Sequence, residues 1–105
     1  MNVLICQPTC NRNYTGVLAS RADTMVACQS HFGQRTKINY NYIPADYNHP
    51  DLFHLSVCIK DMEKADAVVF CAGWAEDRAC RVEHYAAAQY NKTIYYFTGK
   101  EIVAQ

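Results

Sequence analysis

Hydrophobic positions along this chain switch repeatedly between two periods. Residues 2–6, Asn-Val-Leu-Ile-Cys, make an almost unbroken apolar run closed by Pro8, the pattern of a strand covered on both faces. After a polar loop, residues 14–33 place Val17, Leu18, Met25 and Cys28 at roughly helical spacing, with Gly33 positioned as the C-cap. Residues 37–43 alternate and are rich in strand formers; Pro44 stops them and opens a loop that runs to Pro50. From Asp51 a second helix is predicted, with Leu52, Leu55, Ile59 and Met62 on one stripe and Pro50 just ahead of it. Residues 66–72 predict another buried strand, broken by Gly73-Trp74. Residues 76–90 predict a third helix with Asp77 near its start, residues 93–97 a last strand, and the remainder a short tail.

Strands alternating with helices over 105 residues, without repeat or linker, predict one α/β domain spanning residues 1–105. Right-handed crossovers give a Rossmann-like or flavodoxin-like layout: a mostly parallel four-stranded sheet in the order 2-1-3-4, with helices on both faces. That order reverses between the first and third strands, and open α/β sheets bind ligands at the carboxyl ends of the strands there. The loops at that crevice are residues 7–14, which include Gln7, Pro8, Asn11 and Tyr14, and residues 71–78.

Composition narrows the function classes. Ten basic residues balance ten acidic ones and no basic patch stands out, which argues against nucleic-acid or membrane-surface binding. The start of the chain has no basic lead, so it does not read as a signal peptide. No apolar run is long enough to cross a bilayer, and a cytoplasmic protein is expected. Six cysteines include no Cys-x-x-Cys pair. Cys6 and Cys71 fall in strand-like runs and Cys28, Cys58 and Cys80 in helical ones, so they read as small buried hydrophobes, with no metal implied.

Within the third helix Glu83 shares its face with Ala79, Cys80, Ala86 and Ala87 at helical spacing. A carboxylate buried on such a face costs several kcal/mol or shifts its pKa until it is neutral. Small neighbours also leave room for a ligand. The alternatives are that Glu83 pairs with Arg78 or Arg81 on a solvated face, and that Asp77 is simply a helix N-cap.

Residues 65–97, Ala-Asp-Ala-Val-Val-Phe-Cys-Ala-Gly-Trp and onward through the alanine-rich helix to Ile-Tyr-Tyr-Phe, resemble the C-terminal half of the nucleoside 2-deoxyribosyltransferase-like proteins. Their pattern is Ala-Asp, an apolar strand, a glycine-containing loop, Asp-x-Gly-[Ser/Thr]-x-x-Glu, an alanine-rich helix and a final strand. Asp66, Asp77 and Glu83 fall on its acids, and Gly73-Trp74 looks most like the small uncharacterised bacterial and phage relatives. The likeness is good over residues 50–97 and only architectural before them. It implies that Glu83 is a nucleophile on the anomeric carbon, acting as in a retaining glycosidase, and that Asp77 orients or protonates the leaving base. It further implies a nucleoside or nucleotide ligand, no cofactor, and a homo-oligomer whose subunits complete one another's sites.

This chain departs from the pattern at Ala79 and Cys80, which replace Gly and Ser or Thr, and at Cys58, which stands where the enzymes carry an aspartate. Asp51 and His54 share a helix face with Cys58 and could substitute. Trp74 and Tyr14 could stack on a base, or serve as core edge and loop tyrosine respectively. Arg78 could draw a phosphate to the helix N-terminus or simply be solvated, while Arg12 and Asn11 stand in the first loop without a spacing that demands a phosphate. His31, His49 and His84 read as ordinary surface or loop histidines. The intact Asp77–Glu83 spacing favours catalysis on the N-glycosidic bond. The missing third carboxylate favours a protein that sequesters a nucleotide, such as one derived from ADP-ribose, in the same crevice.

Overall fold

The computed structural model describes residues 1–44 and 51–105. The loop expected over residues 45–50, the helix-start signal of Pro50 and the reading of His49 lie outside the described residues. The elements in chain order are β1 (Asn2–Cys6), α1 (Tyr14–Phe32), β2 (Lys37–Tyr40), α2 (Leu52–Lys64), β3 (Ala67–Cys71), a 3₁₀ turn (Trp74–Glu76), α3 (Arg78–Gln89), β4 (Ile94–Phe97) and β5 (Ile102–Ala104). They build one α/β domain around a five-stranded sheet ordered β2-β1-β3-β4-β5. The first four strands are parallel, with Val3 opposite both Ile38 and Ala67, and Val68 opposite Ile94.

The central strands β1 and β3 are buried on both faces, as their unbroken apolar runs require. Successive side chains divide between two cores. Val3, Ile5, Val69 and Cys71 face Cys28 of α1; Leu4, Cys6, Val68 and Phe70 face Cys58 and Met62 of α2 and Ala87 of α3. Helices therefore cover both sides. No helix among the described residues is long and apolar enough to cross a membrane.

Four local expectations change. The tail carries a fifth strand: Ile102, Val103 and Ala104 pair antiparallel with Phe97, Tyr96 and Tyr95. The turn into it is held by Thr98, whose hydroxyl accepts the amides of Lys100 and Glu101, and by Gly99 at φ 100°. Strand β2 ends at Tyr40 because the Asn41 side chain takes over its pairing: its Oδ1 accepts the Gln7 amide and its Nδ2 donates to the Gln7 carbonyl. On α1 the buried face is Val17, Arg21, Thr24 and Cys28, while Leu18 is exposed. On α2 the fully buried positions are Cys58 and Met62, and Leu52, expected on the inner stripe, is 83% exposed. Gly33 caps α1 as expected, its amide donating to the Gln29 carbonyl.

Candidate functional site

The carboxyl ends of β1 and β3 deliver two loops to the same edge of the sheet, and Asp77 fastens them together. Its Oδ1 accepts the Cys80 amide at 3.0 Å, which makes it the N-cap of α3. Its Oδ2 accepts the amides of Thr9 at 2.9 Å and Cys10 at 3.1 Å from the loop after β1. Asp77 is itself buried. The carboxylate thus works as an acceptor toward three backbone donors on two different loops.

Gly73 makes the turn that lets this happen. Its φ of 88° lies in the left-handed region, and a Cβ there would run into the Arg12 guanidinium, with Pro8 close behind. Arg12 can swing aside at its flexible end, so most of the cost of a side chain is backbone. Gly73→Ala is expected to lower stability by about 1–2 kcal/mol in urea denaturation. A loss below roughly 0.5 kcal/mol would show that the loop relaxes freely.

Two cavities open beside these loops. One, of about 440 Å³, lies between the first turns of α1 and the ends of β3 and β4, and is walled in part by Gln7, Pro8, Arg12, Asn13, Gly16 and Ala72. The other, of about 370 Å³, lies between α1, the end of β2 and α2, and is walled in part by Tyr14, Arg21, Tyr40, Tyr42, His54 and Cys58. His54 stacks on Tyr42 with ring centroids 3.8 Å apart and its Nδ1 meets Asp51 Oδ1 at 2.7 Å. Asp51 also N-caps α2 by accepting the His54 amide; that hydrogen bond, with the ring contact, holds its carboxyl below the usual value.

Behind the second cavity lies a buried polar knot that the periodicity did not announce. Arg21, 7% exposed, donates from Nε to Gln7 Oε1 and from Nη2 to Asn41 Oδ1, and its guanidinium sits 4.4 Å from the centre of the Tyr40 ring. Gln7 Nε2 donates onward to the Val17 carbonyl. Burial lowers the pKa of Arg21, and no carboxylate among the described residues forms an ion pair with it. Arg21 lies four residues after Val17 and seven before Cys28, the spacing of one helix face, but a charged residue at that spacing does not by itself signal burial.

Glu83 is 1% exposed and borders neither cavity directly. It points into the core between β1, α2 and α3, against Cys6, Cys58 and Cys80. Burial pushes its pKa from 4.5 up to about 7; the Cys58 thiol opposes this, the Asp77 charge adds to it, and the Cys6 and Cys80 thiols oppose it again. Its Oε1 has no hydrogen-bond partner among the described residues. Pairing with Arg78 or Arg81 does not occur: Arg78 is exposed, and Arg81 donates to the Ala75 carbonyl. Cys58 is the link between the two regions, because it borders the second cavity and touches the glutamate's surroundings.

The remaining candidates separate. Trp74 stacks on His84 at 3.9 Å and packs against Phe70, closing the core edge on the α2–α3 side of the sheet. His84 in turn meets the Tyr96 hydroxyl at 2.8 Å and has its pKa lowered by burial, so it is not a free surface histidine. Asn11 is exposed at φ 59° and borders neither of the two cavities. The structure therefore gathers Gln7 and Pro8 at one cavity, Tyr14 and His54 at the other, and Asp77 and Gly73 between the loops. Comparison of the chain with protein-family models, with curated proteins and with solved structures returned no match.

Proposed function

We propose that this chain binds a nucleoside or nucleotide at the carboxyl edge of its sheet and that Glu83 acts on the N-glycosidic bond. The observation that carries the reading is the buried Glu83 carboxyl, with one oxygen unpartnered, one cysteine away from an aromatic-walled cavity. Tyr14, Tyr40 and Tyr42 offer faces on which a base can stack, each worth about 1–3 kcal/mol. Arg12, Asn13 and the amino end of the 19-residue helix α1 suit a phosphate in the adjoining cavity. The motif resemblance to nucleoside 2-deoxyribosyltransferase-like proteins supports the same ligand class, and so does the α/β fold, more weakly.

Roles follow from what each group has left to offer. Glu83, in its ionised form, attacks the anomeric carbon as the bond to the base breaks, and water or a second base releases the sugar. Asp77 already spends both oxygens on backbone amides, which suits it to position the helix that carries Glu83. The proton for the departing base is better supplied from His54, which borders the cavity and is held by Asp51. The outer faces of α2 and α3 expose Phe53, Val82 and Tyr85, which supports a second copy of the chain as the partner.

The closure of Glu83 favours a second reading. At 1% exposure the carboxyl meets no ligand until Cys58 and its neighbours yield. A crevice that holds a nucleotide and leaves it intact needs no such movement. The two readings separate on incubation with nucleosides, deoxynucleotides and ADP-ribose derivatives, followed by chromatography of the solution and of the heat-denatured protein. Free base that disappears in Glu83→Gln is the expected result. Intact ligand recovered from the protein without base release establishes sequestration, and neither signal sinks both readings.

A further inference from the structure

We propose that Cys6, Cys58 and Glu83 form a binding site for one thiophilic divalent metal ion of the zinc class, with Cys80 beside it. The three groups come from β1, α2 and α3, all are buried, and their ligand atoms lie within 4.8 Å of one another. The two sulfurs are 4.0 Å apart. A tetrahedral ion with metal–sulfur bonds of about 2.3 Å sets two sulfurs about 3.8 Å apart, so the pair needs almost no adjustment. The carboxylate supplies an independent pointer, because Glu83 Oε1 is fully buried and lacks a hydrogen-bond partner among the described residues. Thiols are poor hydrogen-bonding companions for a buried carboxyl, whereas a metal ion satisfies thiolates and carboxylate together.

The sequence concealed this arrangement. Local ligand pairs of the Cys-x-x-Cys type announce a zinc site, but here each ligand stands alone on its own element and only the parallel crossover connections assemble them. Binding forms two metal–sulfur bonds and one metal–oxygen bond; the two thiol protons, and that of Glu83 where it is protonated, leave to solvent. No electrons are exchanged. The site goes beyond the nucleoside reading and does not rest on it, although an ion held there would occupy the carboxylate and silence any chemistry by Glu83.

The test is a cobalt(II) titration of the full chain, under reducing, oxygen-free conditions, followed by absorption spectroscopy. One equivalent of cobalt is expected to raise a thiolate-to-cobalt charge-transfer band that zinc then abolishes. Cys58→Ser is expected to lose the band. Cys10→Ser and Cys28→Ser are expected to keep it, since Cys10 lies in the first loop and Cys28 on the other face of the sheet. Glu83→Gln, which preserves side-chain volume, is expected to weaken cobalt binding by roughly tenfold or more. Circular dichroism establishes that each variant is folded. Absence of the band from the wild-type chain overturns the site whatever the variants do, and so does a band that survives Cys58→Ser or vanishes in Cys10→Ser. Base release is read by a separate assay, so failure of the metal site leaves the nucleoside reading where it stood.

Discussion

Asp77→Ala is expected to remove about 3–5 kcal/mol from the stability of the fold, the largest loss of any single substitution considered. Three backbone amides, those of Thr9, Cys10 and Cys80, lose their acceptor at once. Charge-assisted bonds of this kind contribute about 1.5–3 kcal/mol each where water cannot replace them, and the N-cap alone is worth about 1 kcal/mol. The three do not add fully, because water enters the exposed part of the loop once the carboxylate is gone. A domain of this size holds about 5–15 kcal/mol in total, so the variant stands close to the edge of folding. Asp77→Asn is the informative companion. Its single acceptor oxygen can serve α3 or the first loop but not both, and about half the loss is expected. Urea denaturation of the three proteins decides it. An Asp77→Ala variant within about 1 kcal/mol of wild type would show that the two loops hold together by other means.

How much of this was legible depends on where each signal lives. Strands β1 and β3 were readable because burial on both faces leaves an unbroken apolar run, and the position of the crevice follows from strand order. Strand β5 was not, since three residues carry no period, and pairing with β4 through a Thr98–Gly99 turn is a tertiary fact. On α1 the apolar spacing points to Leu18, which is exposed, and not to Arg21 and Thr24, which are buried. Polar residues reach a core face when partners wait for them, and Arg21's partners, Gln7 and Asn41, come from the ends of two other strands.

The same limit applies at the site. That Glu83 shares a face with small residues was visible in the helix period, and the structure buries Ala79, Cys80, Glu83 and Ala87 together. What surrounds it was not visible, because Cys6 and Cys58 stand on two other elements, β1 and α2, outside the reach of any local pattern. From the sequence Asp77 reads both as an N-cap and as a site acid. The cap is present, and the reach of its second oxygen to Thr9 and Cys10 depends on a loop whose path no local pattern encodes.

Glu83→Gln is expected to stabilise the protein at alkaline pH and to do so progressively less toward acid, in a chelator-treated sample. Burial raises the carboxyl from 4.5 to about 7, so the folded chain holds its proton over a range in which the unfolded chain has released it. The sign follows from that difference in bound protons. Below about pH 4.5 both states are protonated and Glu83 costs nothing as a charge; as pH rises toward about 7 stability is lost, and beyond it no further change comes from this group. At about 1.4 kcal/mol per pH unit the gap amounts to about 3 kcal/mol. Glutamine keeps the volume and removes the titration, but its amide hydrogens meet only thiols, which offsets part of the gain. A net stabilisation of about 1–3 kcal/mol near pH 8, shrinking to zero or reversing near pH 5, is the expected outcome of denaturation run at both values. Taking the difference between variant and wild type cancels the ionisations they share. A difference that stays flat across this range would mean that Glu83 is charged in the folded protein throughout, paired with a group that supports it. On the role proposed for Glu83, a carboxyl that is neutral at rest and ionises near neutrality attacks only once a ligand or rising pH draws off its proton, and base release is then expected to climb through the interval in which stability falls.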